Sequence, residues 1–104
     1  MSLSTHVLDT ARGRPAAGVG VRLTRVRDGA VLAEGTTDGD GRLRLPGAAT
    51  EPGAYRLTFD TGGYLGPDAF FPEVTVVFTI ADPAEHHHVP LLLSPYGYST
   101  YRGS

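Results

Sequence analysis

Apolar and polar residues alternate along most of this chain, which is typical of strands that bury one face. Residues 3–8 alternate in this way, and Val19, Val21 and Leu23 fall on one side of a second segment. Further alternating or β-rich segments are residues 30–33, 42–45, 55–59, 73–80, 86–93 and the aromatic-rich end. Each of these segments is predicted to be a strand.

Glycine-rich turns separate the predicted strands. Asp28 and Gly29 lie between two apolar stretches and predict a hairpin with a primed turn. A second turn is predicted at residues 38–41, Asp-Gly-Asp-Gly, which lack the twelfth-position glutamate of a calcium loop. Residues 60–66 hold three glycines, so at most a turn or two of helix is expected there. Short strands at intervals of roughly 8 to 12 residues predict an all-β sandwich of two sheets with one short helix.

Composition excludes several kinds of chemistry. The 104 residues predict one domain, 1–104, with a single core. No cysteine is present, which excludes thiol nucleophiles, disulfides and thiolate zinc sites. All nine basic residues are arginine, so a Schiff-base lysine is excluded. The net charge of −2 and the scattered arginines argue against a nucleic-acid partner, and a small-molecule partner is expected.

The sequence gives no indication of a membrane protein. No apolar run approaches the roughly 20 residues that a membrane span needs. Residues 1–6 have neither the basic nor the apolar region of a signal peptide. A cytoplasmic protein is therefore expected.

Three consecutive leucines point to association between copies of the chain. In a strand, Leu91 and Leu93 face one way and Leu92 the other, so one buried face cannot hide all three. Either a partner subunit or a loop of the same chain must cover the second face. A small chain has little spare material for that purpose, which favours an oligomer.

Four histidines and one arginine are the candidates for chemistry. Histidine is the side chain that exchanges protons near neutrality. His6 lies in the first predicted strand and residues 86–88 open the last, where His86 and His88 share a face and His87 opposes them. Two other interpretations of the three consecutive histidines are a solvated start of a strand and a zinc site. The zinc interpretation is weak, because the H-E-x-x-H spacing is absent. Arg42, directly after the second turn, is a candidate anion-binding residue or simply a solvated arginine.

The chain end carries an unusual set of side chains for a terminus. Residues 94–104 read Ser-Pro-Tyr-Gly-Tyr-Ser-Thr-Tyr-Arg-Gly-Ser. Tyrosine combines an apolar ring with a hydroxyl, and Arg102 offers a planar fork of donors that suits a planar anion. With the hydroxyl of Ser104, these groups are suited to lining a site.

Three segments together resemble the 5-hydroxyisourate hydrolase family, the transthyretin-related enzymes of urate breakdown. They are Leu-Ser-Thr-His-Val-Leu-Asp at 3–9, Thr-Asp-Gly-Asp-Gly-Arg at 37–42, and residues 86–104 with their closing Tyr-Arg-Gly-Ser. The resemblance implies a transthyretin-like sandwich of two four-stranded sheets. It also implies a homotetramer with its sites where two dimers meet.

The resemblance also assigns roles to individual residues. It implies hydrolysis of 5-hydroxyisourate to 2-oxo-4-hydroxy-4-carboxy-5-ureidoimidazoline without metal or organic cofactor. The catalytic residues it implies are His6, Arg42, His88 and Ser104, and the substrate-binding residues are Tyr101, Arg102 and Gly103. The chain departs from many relatives at two positions, with His87 for tyrosine and Asp38 for asparagine. The alternative function is a transthyretin-type carrier of a small ligand without catalysis.

Overall fold

Two β-sheets contain nearly all of the regular structure. The computed structural model describes residues 2–104. In chain order the elements are β1 (Ser2–Asp9), β2 (Arg14–Pro15), β3 (Gly20–Arg25), β4 (Val31–Thr36), β5 (Arg42–Arg44), β6 (Gly53–Asp60), α1 (Thr61–Leu65), β7 (Val74–Ile80), β8 (His86–Ser94) and β9 (Gly97–Thr100). The predicted strands and the predicted short helix are confirmed, and β2 is an additional strand that the alternation does not predict. Within the described part of the chain, no helix has the length and apolar character needed to cross a membrane.

The first sheet is built around the parallel pair β1 and β8. β9 follows β8 as its antiparallel neighbour. On the other side of β1, β5 pairs with residues 4–6 and β2 with residues 8 and 9. The sheet therefore has five strands rather than the implied four, because β2 and β5 divide one edge position between them.

The second sheet has four antiparallel strands in the order β4-β3-β6-β7. The predicted hairpin joins β3 to β4, but its loop is longer than a two-residue primed turn. Among the loop residues only Gly29 has a positive φ, at 72°, and the Arg25 N–H donates to the carbonyl of Ala30. Asp28 accepts hydrogen bonds from the Arg25 guanidinium and the Ala30 N–H, and the Arg25 contact lowers the pKa of Asp28 to about 2.

One apolar core fills the space between the two sheets. The predicted inward face of Val19, Val21 and Leu23 is confirmed, since none of the three is more than 3% exposed. The larger core side chains are Leu3, Tyr55, Leu57, Phe59, Ile80, Leu91 and Leu93. Each fully buried side chain of this size contributes about 1.5 to 3 kcal/mol relative to exposure, so this layer supplies the main stabilisation.

Asp9 is a buried carboxylate that ties β1 to α1. Its side chain is 5% exposed. It accepts hydrogen bonds from the Tyr64 hydroxyl at 2.7 Å and from the N–H groups of Ala11 and Arg12. Burial alone would raise the pKa of Asp9, but these hydrogen bonds to the charged form outweigh it and hold the pKa below its usual 3.8.

Replacing Tyr64 with phenylalanine should therefore weaken the fold. A hydrogen bond to a charged group contributes about 1.5 to 3 kcal/mol, and Tyr64→Phe should lower the free energy of unfolding at pH 7 by about that amount. Since the folded-state pKa of Asp9 is lowered, this contribution is present above 3.8 and is lost as pH falls through the lowered value. Urea denaturation at pH 7 and at a pH below the lowered pKa of Asp9 measures the contribution and its loss. Tyr96→Phe, at a ring that is 81% exposed, is the matched control, and equal stability of the two variants would contradict the assignment.

Candidate active site

The outer face of the first sheet brings together the histidines that the sequence pointed to. On β1, alternate residues are buried, so Ser4 and His6 project from the outer face. On β8, His86 and His88 project from the same face, whereas His87 turns inward and is 6% exposed. The predicted division of the three consecutive histidines is confirmed.

β5 adds two arginines to this face. It pairs with β1 so that Arg42 lies opposite His6 and Arg44 lies opposite Ser4. Leu43, between the two arginines, packs against the core. Arg42 and His6 are consequently cross-strand neighbours on the outer face.

The turn before β5 determines where Arg42 lies. Asp38 Oδ1 accepts hydrogen bonds from the N–H groups of Asp40 and Arg42, and these bonds lower the pKa of Asp38. Gly41 has a φ of 73°. There is no room for a side chain at this position, because a Cβ would lie 2.4 Å from the Val7 carbonyl oxygen. The predicted turn is confirmed, and its close approach to β1 fixes the start of β5.

Serine hydroxyls on β1 contact the two outer histidines of β8. Ser4 Oγ lies 2.8 Å from His88 Nδ1 and 3.3 Å from His86 Nε2. Ser2 Oγ is hydrogen-bonded to His86 Nδ1. The two imidazole rings are nearly parallel, with 16° between their planes and 6.3 Å between their centroids. Together these four side chains, which we call the serine–histidine row, form one connected network.

The surroundings of His88 disfavour its protonated form. Burial lowers the pKa of His88 below 6.5, and the nearby positive charge of Arg42 and the imidazoles of His86 and His6 lower it further. A hydrogen bond with the Ser4 backbone acts in the opposite direction but is smaller. His88 is therefore neutral at pH 7 and able to accept a proton.

The end of the chain folds back over β8. The Gly103 N–H donates to the His88 carbonyl at 2.9 Å, and the two residues form an antiparallel bridge. A Cβ on Gly103 would lie 2.4 Å from His88 Cδ2, so the backbone of the tail passes directly over the imidazole. Ser104 then reaches the rim of the cleft that contains His88.

Tyr101 and Arg102 point in a different direction. They line a smaller cavity of about 240 Å³ beside Phe78. The Arg102 guanidinium lies 3.5 Å from the carboxylate of Glu85, and both side chains are mostly exposed. Within one chain, these two predicted binding residues do not line the main cleft.

The main cleft has a volume of about 540 Å³, which is in the range of small-molecule sites. Of the predicted site residues, Arg42, His88 and Ser104 line it. His6 is not among the lining residues, but it lies opposite Arg42 on the neighbouring strand. The other side chains around it include Ser2, Ser4, Arg44, Pro46 and His86. A more open groove of about 580 Å³ on the second sheet contains none of the predicted site residues.

Several cleft residues were not predicted as part of the site, and Ser4 and Arg44 are two of them. Ser4 and Arg44 lie two positions from His6 and Arg42 on the same strands. Strand alternation places them on the same face, so the periodicity would have identified both. The zinc alternative gains no support, because residues 2–104 contain no group of three or more His, Asp or Glu side chains placed to hold a metal ion.

The chemical capacity of the cleft follows from these neighbours. It combines a neutral imidazole that can take a proton, a second imidazole nearby, and guanidinium groups that attract negative charge. Such a set is suited to proton transfer next to a developing oxyanion.

Comparison with known proteins finds relatives that belong to one family. Residues 3–103 match the HIUase/Transthyretin family. The 5-hydroxyisourate hydrolase of Salmonella dublin is 51% identical over 98% of this chain and 80% of its own length. The solved structure of Klebsiella pneumoniae 5-hydroxyisourate hydrolase has a TM-score of 0.87 at 40% identity, covering 100% of both chains. Sea bream transthyretin in complex with thyroxine has a TM-score of 0.81 at 32% identity, covering 97% of this chain and 93% of the other.

Gly103→Ala should displace the His88 imidazole. The added methyl group would meet the ring at 2.4 Å, so the ring must move away from its half-buried position. Because burial is the main cause of the lowered pKa, we expect the pKa of His88 to rise towards 6.5, as measured by NMR titration of the imidazole carbon-bound protons. Gly97→Ala is the matched control, since its Cβ would meet only Ser94 Oγ at an ordinary 3.6 Å. An unchanged His88 titration in Gly103→Ala would contradict this geometry.

Proposed function

This chain belongs to the HIUase/Transthyretin family, and we propose that it hydrolyses 5-hydroxyisourate in the cleft on the outer face of its first sheet. It is an enzyme, and the reaction gives 2-oxo-4-hydroxy-4-carboxy-5-ureidoimidazoline. This reaction is a step of urate breakdown. The assignment is supported by the high identity to hydrolases of this name. The observation that carries the location of the site is the meeting of His6, Arg42 and His88 on one face.

The reaction requires three contributions from the protein. A water molecule must lose a proton, the leaving nitrogen must gain one, and negative charge on the oxygen must be offset. His88, held neutral at pH 7, takes the proton from water. His6, across from Arg42, positions the water or donates to the leaving nitrogen. Arg42 holds the electron-rich ring and offsets the developing charge, which its planar fork suits.

The chain end completes the site in an assembly. Gly103 keeps the tail over His88, and Ser104 supplies a hydroxyl at the cleft rim. Tyr101 and Arg102 point away from the cleft of their own chain, so we place them against the cleft of a neighbouring subunit. The assembly proposed is a homotetramer in which the sites lie between two dimers.

Exposed apolar surface supports this assembly. β7 and β9 each form the outer edge of a sheet within the described residues. Val77, Phe70 and Tyr98 are 56%, 65% and 43% exposed near these edges. Unpaired edges bordered by exposed apolar side chains are typical of surfaces that associate. Leu92, which is partly exposed on the outer face of β8, adds a further apolar side chain to the surface of the first sheet.

A transthyretin-type carrier is the second candidate function. The likeness to sea bream transthyretin in complex with thyroxine is the observation in its favour. A carrier needs no proton-accepting group, whereas this cleft holds a neutral histidine near the cationic Arg42. A cytoplasmic location and a single domain over residues 1–104 remain predictions from the sequence.

The decisive experiment follows the decay of 5-hydroxyisourate. The compound is generated from urate by urate oxidase, and its absorbance is recorded with and without the protein. The enzyme should accelerate the decay, whereas a carrier should leave it unchanged.

His6→Asn and His88→Asn should each lower the rate constant by at least about 100-fold. Because the two residues act as one unit, the double variant should be about as slow as the slower single variant. Losses that simply multiply would contradict the shared unit.

Deleting residues 101–104 separates the fold from the activity. β9 ends at Thr100, so both sheets are retained and size-exclusion chromatography should show an assembled protein. Hydrolysis should fall by at least about 100-fold, because the tail residues over and beside His88 are gone. Full activity of the truncated protein would refute the placement of the tail in the site.

A further inference from the structure

The serine–histidine row extends beyond the residues assigned to catalysis. Ser4 Oγ is the shared member, since it contacts both His88 Nδ1 and His86 Nε2. Ser2 Oγ contacts the remaining ring nitrogen of His86. All four side chains line the main cleft, and His86 at the outer end is exposed.

The donors and acceptors of the row can be counted. A neutral imidazole has one N–H donor and one bare nitrogen, and a serine hydroxyl donates once and accepts. In one arrangement the His88 Nδ1–H donates to Ser4, Ser4 donates to His86 Nε2, and the His86 Nδ1–H donates to Ser2. In the reverse arrangement every proton has moved to the other side of its bond. Both arrangements satisfy every contact, and they differ at His88 Nε2, which is bare in the first and protonated in the second.

We propose that the row is a proton relay for the hydrolysis, in which Ser4 positions His88 and His86 is the outer proton acceptor. The relay rests on the proposed function, because it serves the histidine that takes the proton from water. In the resting protein the first arrangement holds, with the bare Nε2 of His88 available to the water. Ser4 and His86 are positioning and relay residues and do not touch the substrate.

The proton balance of the relay closes. When His88 Nε2 takes a proton from the attacking water, its Nδ1 proton passes to Ser4 Oγ, and the Ser4 proton passes to His86 Nε2. The Nδ1 proton of His86 passes to Ser2, whose own proton leaves to solvent. His88 thus ends neutral and protonated on Nε2, and where His6 only positions the water, this is the form of His88 that can give a proton to the leaving nitrogen. No positive charge accumulates between His6, Arg42 and His86.

The surroundings of His88 favour such a relay over a lasting imidazolium. Partial burial disfavours a positive His88 most, and Arg42 and the imidazoles of His86 and His6 add to this. A charged intermediate at this position would be costly, whereas passing the second proton outward avoids it. The near-parallel stacking of His86 on His88 keeps both rings within reach of the one hydroxyl.

Three variants of the whole protein test the relay. Ser4→Ala removes the shared hydroxyl, and Ser4→Thr restores one. His86→Gln retains an amide able to accept from Ser4 but cannot pass a proton on. Thr58→Ala removes a hydroxyl from β6 in the other sheet and is the control. Each protein is measured by long-range proton–nitrogen NMR of the imidazoles, which reports the tautomer of His88, and by decay of 5-hydroxyisourate.

The wild type and Ser4→Thr should show His88 protonated on Nδ1, and Ser4→Ala should shift it towards the Nε2–H form. Ser4→Ala and His86→Gln should each lower kcat at least about tenfold with KM changed little, while Ser4→Thr recovers most of the rate. His86→Gln should keep the Nδ1–H tautomer, because it retains the contact with Ser4.

Several results would overturn the relay. An Nε2–H tautomer in the wild type, an unchanged tautomer in Ser4→Ala, or full activity in His86→Gln each contradicts it. A wild type that fails to accelerate the decay would instead refute the proposed function and with it the catalytic use of the row, while the nitrogen spectra would still decide the hydrogen-bond arrangement.

Discussion

The parallel pairing of β1 with β8 is the constraint on which the rest of the structure depends. Its register sets Ser4 opposite His88 and His6 opposite Pro90. Because side chains alternate with a period of two, a slip by one residue would turn the polar face of one strand into the core. Leu3 and Val7, both 0% exposed, hold the register through their burial. The apolar core therefore fixes the geometry of the polar cleft on the opposite side of the same sheet.

The same alternation explains why three consecutive histidines contribute only two side chains to the cleft. His87 points towards the core, where its Nδ1 lies 3.0 Å from the Glu85 carbonyl oxygen, so a buried polar group has a partner. It also lines the small cavity next to Tyr101. A change at this position acts on the inner side of β8, and it can alter the support of the sheet without entering the main cleft.

The sequence was sufficient for every strand except β2 and for the faces of the longer strands, because a period of two is a local property. Residues 3–8 and 86–93 could each be divided into inner and outer side chains without knowledge of their partners. Which strands are neighbours is not a local property, and Ser4 and His88 are 84 residues apart. Their hydrogen bond, and the division of one sheet edge between β2 and β5, could therefore not be predicted. The length of the loop at Asp28 was missed because its closure depends on a side-chain contact with Arg25.

The tail differs along its length in how firmly it is held, and this bears on the assembly. Gly103 is held by a backbone hydrogen bond to β8 and has no room for a side chain above His88. Two residues earlier, Tyr101 is 56% exposed, and the contact of Arg102 with Glu85 joins two exposed side chains, which stabilises little in water. The backbone is thus fixed while these side chains are able to exchange their partners at little energetic cost. In the proposed tetramer, the backbone of Arg102 would be held in place by Gly103, while its side chain could turn towards an anion in the cleft of the neighbouring subunit.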